Sequence, residues 1–469
     1  MTLRLFGTDG IRGRANVAPM TPDVMVRVGQ AVARVFQTAP FFSAEQRDAQ
    51  QAISEFIPGR EFNPYVDSTH TPHRLTVVVG KDTRLSGYMI ESALVAGLVS
   101  QGAHVMMLGP LPTPAVAMLT RSLRADVGVM ISASHNPYED NGIKFFDANG
   151  VKLTRDVETR IEQLVHEGVS DGECGKSMRL DDAAGRYIEF AKATFPKGQS
   201  LAGLNVVLDC ANGAAYKVAP RIFWELGASV KTLGDQPNGR NINEACGALH
   251  PERLQQAVME AHADVGIALD GDADRLLLVT PRGQTVTGDQ ILAFVAREWS
   301  QTGRLTGGVV STVVSNAGLH RYLEGLGVPH YKSDVGDKFV VELMRKTGSN
   351  LGGEESGHLI LGDATTTGDG IIAALQVLSF LNPQTASLDD LFPVFEPMPQ
   401  VKYSLPRTPQ MTEEWIISLR RRLEERLPEG GQVVIRCSGT EPVLRAVLQG
   451  ESESLLKQVW AQTLADLEG

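Results

Sequence analysis

The chain has 469 residues, 42% of them hydrophobic, and a formal net charge of −11. That length exceeds one compact core and suits roughly three or four domains of a soluble protein. The acidic balance leaves no surplus of cations to release counterions from a nucleic acid, which excludes that class of partner but not small anions held by local cation clusters.

The four cysteines, Cys174, Cys210, Cys246 and Cys437, are scattered without a CxxC pair, as in a reduced cytosolic protein without structural zinc. The first ten residues lack the long apolar core of a signal peptide, and no run approaches the length of a membrane span. The expected location is cytoplasmic.

In chain order, Phe6-Gly-Thr-Asp-Gly-Ile-Arg-Gly13 is a glycine-rich turn bearing one cation, Arg12. Residues 38–74 contain Pro40, Pro58, Pro64 and Pro72, two successive phenylalanines and mixed charges. With a short helix predicted over 44–56, they read as a surface excursion between a first helix and the strand beginning at Leu75.

From there one theme repeats three times. A β-branched strand (Leu75–Val79, Leu204–Leu208, Val309–Val314) leads through a turn to an amphipathic helix (Ser86–Ser100, Ala214–Leu226, Leu319–Gly325). Each helix stops near a glycine, Gly102, Gly227 or Gly327, suited to the position after a helix end. A second strand follows (Val105–Leu108, Ser229–Leu233, Pro329–Tyr331), then another helix and a further strand that carries a polar loop. Ala125-Asp-Val-Gly128 and Ala263-Asp-Val-Gly266 hold the same place in the first two copies. The alternation predicts three related α/β domains with mixed or parallel sheets, their parallel strands joined by helical crossovers and ligands beyond the carboxyl ends of the strands.

The first polar loop, Ile131-Ser-Ala-Ser-His-Asn-Pro137, ends a valine-rich buried strand, Val127–Ile131. It places the Ser134 hydroxyl beside His135 at a strand end, where a ligand can reach it. The second, Asp270-Gly-Asp-Ala-Asp-Arg275, lies between the apolar runs Val265–Leu269 and Leu276–Val279. Its carboxylates at i, i+2 and i+4 repel one another unless a cation joins them. Only oxygen ligands are on offer, which suits Mg²⁺ better than zinc. EF-hand spacing fails, because its sixth and twelfth positions are Arg275 and Pro281. A phosphoserine at Ser134 coordinating the same ion unites the two loops.

The third loop, Gly352-Gly-Glu-Glu-Ser-Gly-His358, offers Glu354 and Ser356 to sugar hydroxyls and His358 for a proton or a phosphate; alone it reads equally well as a polar turn. Val335-Gly-Asp-Lys338 is a weaker turn of the N-terminal kind. Thr365-Thr-Thr-Gly-Asp-Gly370 opens a helix over Ile371–Leu381, capped by Thr367 or Asp369. Pro393, Pro397, Pro399 and Pro406 mark a linker zone. Beyond it come a helix, Glu413–Arg426, two strands, Gln432–Arg436 and Val443–Gln449, and a last helix, Ser454–Leu467: a small α+β domain. Its loop, Arg436-Cys-Ser-Gly-Thr-Glu-Pro442 with Arg445 beyond, fits a phosphate clamp of arginine forks and backbone amides. Arg12 and Lys144 are candidates to offset charge during a transfer.

Taken in order, FGTDGIRG, GKDTR, ISASHNP, DGDADR, GGEESGH and RCSGTEP make the chain resemble, over almost its whole length, the α-D-phosphohexomutase family, and within it the branch acting on glucosamine phosphate. The resemblance implies three related α/β domains and a smaller C-terminal α+β domain around a central cleft, here spanning 1–185, 186–297, 298–398 and 399–469. It implies that Ser134 carries the phosphoryl group and that Asp270, Asp272 and Asp274, with Ser134, hold Mg²⁺. Arg12, Lys144 and His358 take charge balance or proton transfer. His135, Arg275, Glu354, Ser356, Arg436, Ser438, Gly439, Thr440 and Arg445 bind the sugar phosphate.

The implied reaction passes through a hexose 1,6-bisphosphate, which also serves as activator. The implied partners are small sugar phosphates, a phosphate donor that first charges Ser134 and at most a second copy of the chain in a homodimer, with no nucleic acid and no membrane. A mutase for glucose or mannose phosphates, and a sugar-phosphate binding protein without catalysis, are the alternatives. Two departures stand out: the long segment 38–74, and Glu355 where such relatives usually carry glutamine. A carboxylate at Glu355 either meets a cationic amino group or faces solvent, and solvent is the expectation.

Overall fold

The computed structural model describes residues 5–7, 9–38, 75–170, 172–381, 386–428, 430–437 and 443–468. The helix expected at 44–56, and the excursion around it from 39 to 74, lie outside the described residues.

The threefold theme is a real repeat of topology. In each copy the first strand (Thr76–Lys81, Asn205–Asp209 or Val309–Thr312) pairs in parallel with the second on one side and with the third on the other. The second strands are His104–Pro110, Ser229–Leu233 and His330–Ser333; the third are Val127–Ile131, Val265–Leu269 and Leu351–Gly353. The third strand then turns back on itself as an antiparallel hairpin with a fourth, Asp140–Asp147, Leu276–Val279 or Leu359–Leu361. The sheets are therefore mixed, in line with the expected mixed or parallel arrangement. The three polar loops occupy one equivalent position, the hairpin tip between third and fourth strands, and each contains a left-handed residue: Ser134 (φ 53°), Ala273 (φ 57°) and Gly357 (φ 86°).

Local chemistry explains the element ends. The first crossover helices of the second and third copies, Val218–Glu225 and Ala317–Gly325, are followed closely by Gly227 (φ 104°) and Gly327 (φ 68°), which take the left-handed step without a Cβ penalty. The helix Gly370–Leu378 is capped by Asp369, whose carboxylate accepts from the amides of Ile371 (3.0 Å) and Ile372 (2.9 Å); every one of its residues is buried.

In the first sheet, the hairpin Phe6–Gly7 and Gly10–Arg14 pairs onto Asp140–Asp147 and brings Asp9 and Arg12 beside the serine loop. One apolar core runs through parts of all three α/β units, from Val78 to Phe395, while the C-terminal unit has its own, built around Leu419, Leu448 and Trp460.

One segment departs from expectation. Gln400–Pro406, expected within a proline-marked linker, is an edge strand of the C-terminal sheet, paired antiparallel with Val443–Gln449. Its prolines flank the strand or end it, where no ladder amide is needed.

The join to the third unit is polar. Asn316 exchanges hydrogen bonds with the backbone of Met398 (2.9 and 3.0 Å), and Gln449 accepts from the amide of Ala317 at 2.7 Å.

Candidate active site

A cavity of about 510 Å³ opens where the hairpin tips meet. Its walls include Arg12, Ser134, His135, Asp274, Arg275, Glu354, Ser356, His358, Arg436 and Arg445, drawn from all four sheets. Lys144, Asp270 and Asp272 are buried. Of the expected site residues, only Ser438, Gly439 and Thr440 lie outside the described residues.

Ser134 is buried, and its Oγ donates to Asp270 Oδ2 at 2.6 Å. The phosphoryl-carrier candidate and the acidic loop therefore touch directly. Beside it, burial first, then the Arg275 and Arg12 cations, push the His135 imidazole down to about 3, so the ring is neutral at pH 7.

Asp270, Asp272 and Asp274 present ligand oxygens within 4.8 Å of one another. Burial raises the Asp270 pKa, and Asp274 and Asp272 raise it further. Asp272 Oδ1 and Asp274 Oδ1 are buried and make no hydrogen bond. Orphaned carboxylate oxygens in an oxygen-only donor set fit a hard divalent cation. The loop is braced from both sides. Thr113 of the first unit binds Asp272 through side chain and amide, and the Leu276 amide donates to the Gly357 carbonyl of the third loop at 3.0 Å.

A closed circuit of charge links three units in the wall of the cavity, with Lys144 buried behind it. Lys144 Nζ lies 3.1 Å from Asp274 and 3.7 Å from Asp9; Asp9 pairs with Lys152; Lys152 lies 2.6 Å from Asp337. Asp337 lies 3.7 Å from His358 Nε2, and His358 Nδ1 lies 3.6 Å from Asp274. Lys144 also bonds Asp272 at 2.7 Å.

Burial alone makes a lysine easier to deprotonate. The Asp272, Asp274 and Asp9 carboxylates reverse this and hold the Lys144 ammonium well above its ordinary range, so it is a fixed cation and not a base. For His358, burial acts downward and Asp274 and Asp337 act upward, with a net rise. The Gly368 amide nonetheless donates to Nε2 at 3.0 Å, so that nitrogen must be unprotonated and the ring carries its proton on Nδ1, towards Asp274. That arrangement suits orienting a carboxylate better than shuttling a proton. Asp9, Lys152 and Asp337 escaped the sequence reading, although Asp9 and Asp337 sit in glycine-containing turns that it had noted.

Across the cavity, Arg436 and Arg445 are direct cross-strand partners. Burial, then Arg445, lowers the Arg436 pKa. Two like charges opposite each other on a sheet destabilise it unless an anion lies between them. Glu354, at the tip of the third loop, accepts from the Gly336 amide at 3.0 Å. Glu355 does not face solvent as expected. Its side chain is only 17% exposed and is held by Lys402 Nζ (2.6 Å) and Gln400 Nε2 (2.9 Å) of the C-terminal sheet. A cation within reach of a carboxylate outweighs hydration when the geometry is this short.

This pair ties the third loop to the unit carrying the arginines. Replacing Lys402 by methionine is expected to weaken anion binding in the cavity by up to about fivefold, the size of a half-exposed ion pair worth at most ~1 kcal/mol. Phosphate titrations of parent and variant at low and high salt check it, since salt should narrow the difference between them.

Profiles of four phosphoglucomutase/phosphomannomutase domains match this chain in order: α/β/α domain I at residues 3–46 and 61–171, domain II at 185–283, domain III at 287–398 and the C-terminal domain at 396–465. The chain belongs to the phosphoglucomutase/phosphomannomutase family. A phosphoglucosamine mutase of Paracoccus denitrificans is 48% identical over 476 aligned residues, covering 100% of this chain and 99% of that protein, which sets the chain in the phosphoglucosamine mutase branch.

Among solved structures, a phosphoglucomutase/phosphomannomutase family protein from Burkholderia thailandensis superposes with a TM-score of 0.77 at 23% identity, covering 100% of this chain and 98% of that one. The Aspergillus fumigatus N-acetylphosphoglucosamine mutase, solved with GlcNAc-6P and magnesium, reaches a TM-score of 0.59 at 19% identity, over 75% of this chain and 91% of its own. At these identities the likeness concerns the fold. Family membership makes the chain a mutase, an intramolecular phosphotransferase of the isomerase class.

Proposed function

We propose that the cleft interconverts glucosamine 6-phosphate and glucosamine 1-phosphate by way of a phosphorylated Ser134 and a sugar 1,6-bisphosphate, supplying amino-sugar nucleotide and cell-wall precursor synthesis. The observation that carries this reading is that one cavity has two phosphate-competent ends: Ser134 with the acidic loop, and the opposed Arg436 and Arg445.

The sugar docks with its resident phosphate between the arginines and a free hydroxyl at Ser134. A new sugar O–P bond forms as the Ser134 Oγ–P bond breaks, and the hydroxyl proton ends on the Ser134 oxygen. The bisphosphate turns over in the cleft, and the reverse transfer takes the other phosphate back to Ser134. Glu354 and Ser356 meet ring hydroxyls. Arg12, Arg275 and Lys144 offset the phosphoryl charge, while His135 donates or accepts as a neutral ring. Positioning and charge supply most of the catalysis in such transfers.

Asp270, Asp272, Asp274 and Ser134 hold Mg²⁺, one ion per chain, whose chemistry when bound is to neutralise charge on the transferring phosphoryl oxygens. In the fourth loop, Ser438, Gly439 and Thr440 complete the phosphate grip of the two arginines. A hexose 1,6-bisphosphate charges Ser134 at the start. The four units are read as 1–185, 186–297, 298–398 and 399–469, in a protein of the cytoplasm. The free cysteines support that location; among the described residues no helix is long and apolar enough to cross a membrane.

Turnover of glucosamine, glucose and mannose 6-phosphates, each with Mg²⁺ and a catalytic amount of hexose 1,6-bisphosphate, tests the reading. The amino sugar is expected to give the highest kcat/KM. Equal or better turnover of mannose 6-phosphate keeps the reaction and overturns the substrate.

A further inference from the structure

Ser134 adopts a left-handed backbone (φ 53°), a conformation that costs a non-glycine residue roughly 1 kcal/mol or more. Something must hold it there, because that turn is what aims Oγ at Asp270. The residues that do so come from outside the loop.

Arg84 follows the strand Thr76–Lys81 and is fully buried. All five of its guanidinium N–H groups are used. Nε donates to Asp82 Oδ2 (2.9 Å), Nη1 to the carbonyls of Pro137 and Asp140 (the latter 3.1 Å), and Nη2 to those of Ser134 (2.9 Å) and Asn136 (2.8 Å). Four carbonyls of one loop thus converge on a single planar cation.

Asp82 completes the brace. Its amide donates to the Ile131 carbonyl at 3.0 Å, and its Oδ2 accepts from Ser132 Oγ at 2.6 Å. Ser132 Oγ in turn accepts from the Ser134 amide at 2.9 Å. Both peptide groups around Ser134 are therefore pinned.

From the second unit, Asn243 Nδ2 donates to the carbonyls of Ser134 (2.9 Å) and Asn136 (3.1 Å), the same two that Nη2 holds. A Cβ on Gly271, between the metal-binding aspartates, would stand 2.6 Å from the Ser134 carbonyl oxygen and 2.8 Å from Asn243 Nδ2. The acidic loop is thus seated directly on the clamped carbonyl. Neither Arg84 nor Asn243 lines the cavity.

We propose that Arg84, seconded by Asn243 from the neighbouring unit, is the positioning residue that fixes Ser134 in its left-handed turn and registers its hydroxyl against the acidic loop. The proposal rests on Ser134 being the phosphoryl carrier. A guanidinium is needed because its planar fork meets four carbonyls at once; an ammonium offers three donors from one point and must leave part of the loop unheld.

The test compares Arg84→Lys and Asn243→Gly with the parent enzyme and with Ser134→Ala. Glycine at 243 deletes the amide while keeping a positive φ of 58° accessible. Arg84→Lys is expected to lower kcat about a hundredfold, as a displacement near 1 Å does, and to leave KM within about threefold. Asn243→Gly is expected to lower kcat roughly tenfold with the same unchanged KM. Both should keep a Mg²⁺-dependent rise in melting temperature.

A kcat within threefold of the parent in both variants, with Ser134→Ala inactive, overturns the positioning role alone. So does a parallel loss of kcat, KM and Mg²⁺-dependent stabilisation. Full turnover by Ser134→Ala removes the carrier reading on which the proposal stands. If Arg84→Lys does not fold, Asn243→Gly decides by the same criteria.

Discussion

Ser134→Ala is expected to lower turnover of every hexose phosphate by roughly 10⁴-fold or more, because under the proposed mechanism the atom that accepts and returns the phosphoryl group is gone. The nearest side-chain groups cannot stand in. Asp270 Oδ2 and His135 Nδ1 lie 2.6 and 3.3 Å from the missing oxygen, beside its place and not in it. The loss should be confined to chemistry. The variant gives up the hydroxyl's contacts to Asp270 and His135 and keeps the carbonyl clamp from Arg84 and Asn243, so its melting temperature should lie within a few degrees of the parent's. Sugar phosphate should still bind, since the opposed Arg436 and Arg445 are untouched. Intact mass after incubation with a hexose 1,6-bisphosphate gives the second readout: the parent gains one phosphoryl group and the variant none. A variant that turns over at the parent's rate rules out a covalent carrier at this position.

The fold was legible where local chemistry and topology agree. Valine-rich runs, glycine stops and the repeated Ala-Asp-Val-Gly marked three βαβαβ units, and the polar loops after the third strands stood out because aspartates and serines interrupt apolar runs. The antiparallel return of each fourth strand was less visible, since a short apolar run carries no direction. Gln400–Pro406 was hidden by its prolines, which mark strand ends as readily as linkers.

The charge circuit was out of reach for another reason. Asp9, Lys152 and Asp337 are far apart in sequence, and each alone resembles a surface charge; only the packing of three units makes them partners. Glu355 shows the same limit from the other side. Its partner, Lys402, belongs to the strand that the prolines concealed, so solvent was the natural but incorrect expectation.

Asp270→Asn should stabilise the metal-free protein while crippling it. Of the three aspartates, Lys144 bonds Asp272 and Asp274, and Asp270 is left with the Ser134 hydroxyl and, at 3.2 Å, the Arg275 amide. Burial, then Asp274 and Asp272, hold the Asp270 pKa well above the carboxylate range. A folded-state pKa above the unfolded value means that the folded protein binds this proton more tightly. Its contribution to stability is complete below the unfolded pKa, about 3.9, and is lost as pH rises through the raised folded value. Asparagine is neutral throughout and escapes that loss.

In chelator, at pH values above the raised pKa, the variant should therefore melt higher than the parent, by an amount on the order of 1–2 kcal/mol. Other buried acids titrate in the opposite sense: Asp9 and Asp274 have lowered pKa values and lose stability as pH falls. Asp274 is coupled to Asp270, so its titration shifts in the variant and forms part of the measured difference.

Added Mg²⁺ should reverse the order, because only the parent offers a third carboxylate, and turnover of the variant should fall about a hundredfold or more. Thermal melts in chelator and in Mg²⁺, across pH, decide it. A variant less stable than the parent in both conditions means that Asp270 serves the loop's architecture and that the crowding of three carboxylates is already relieved by Lys144. A variant more stable without the ion and less stable with it means that the loop carries repulsion in the folded state which a bound cation removes.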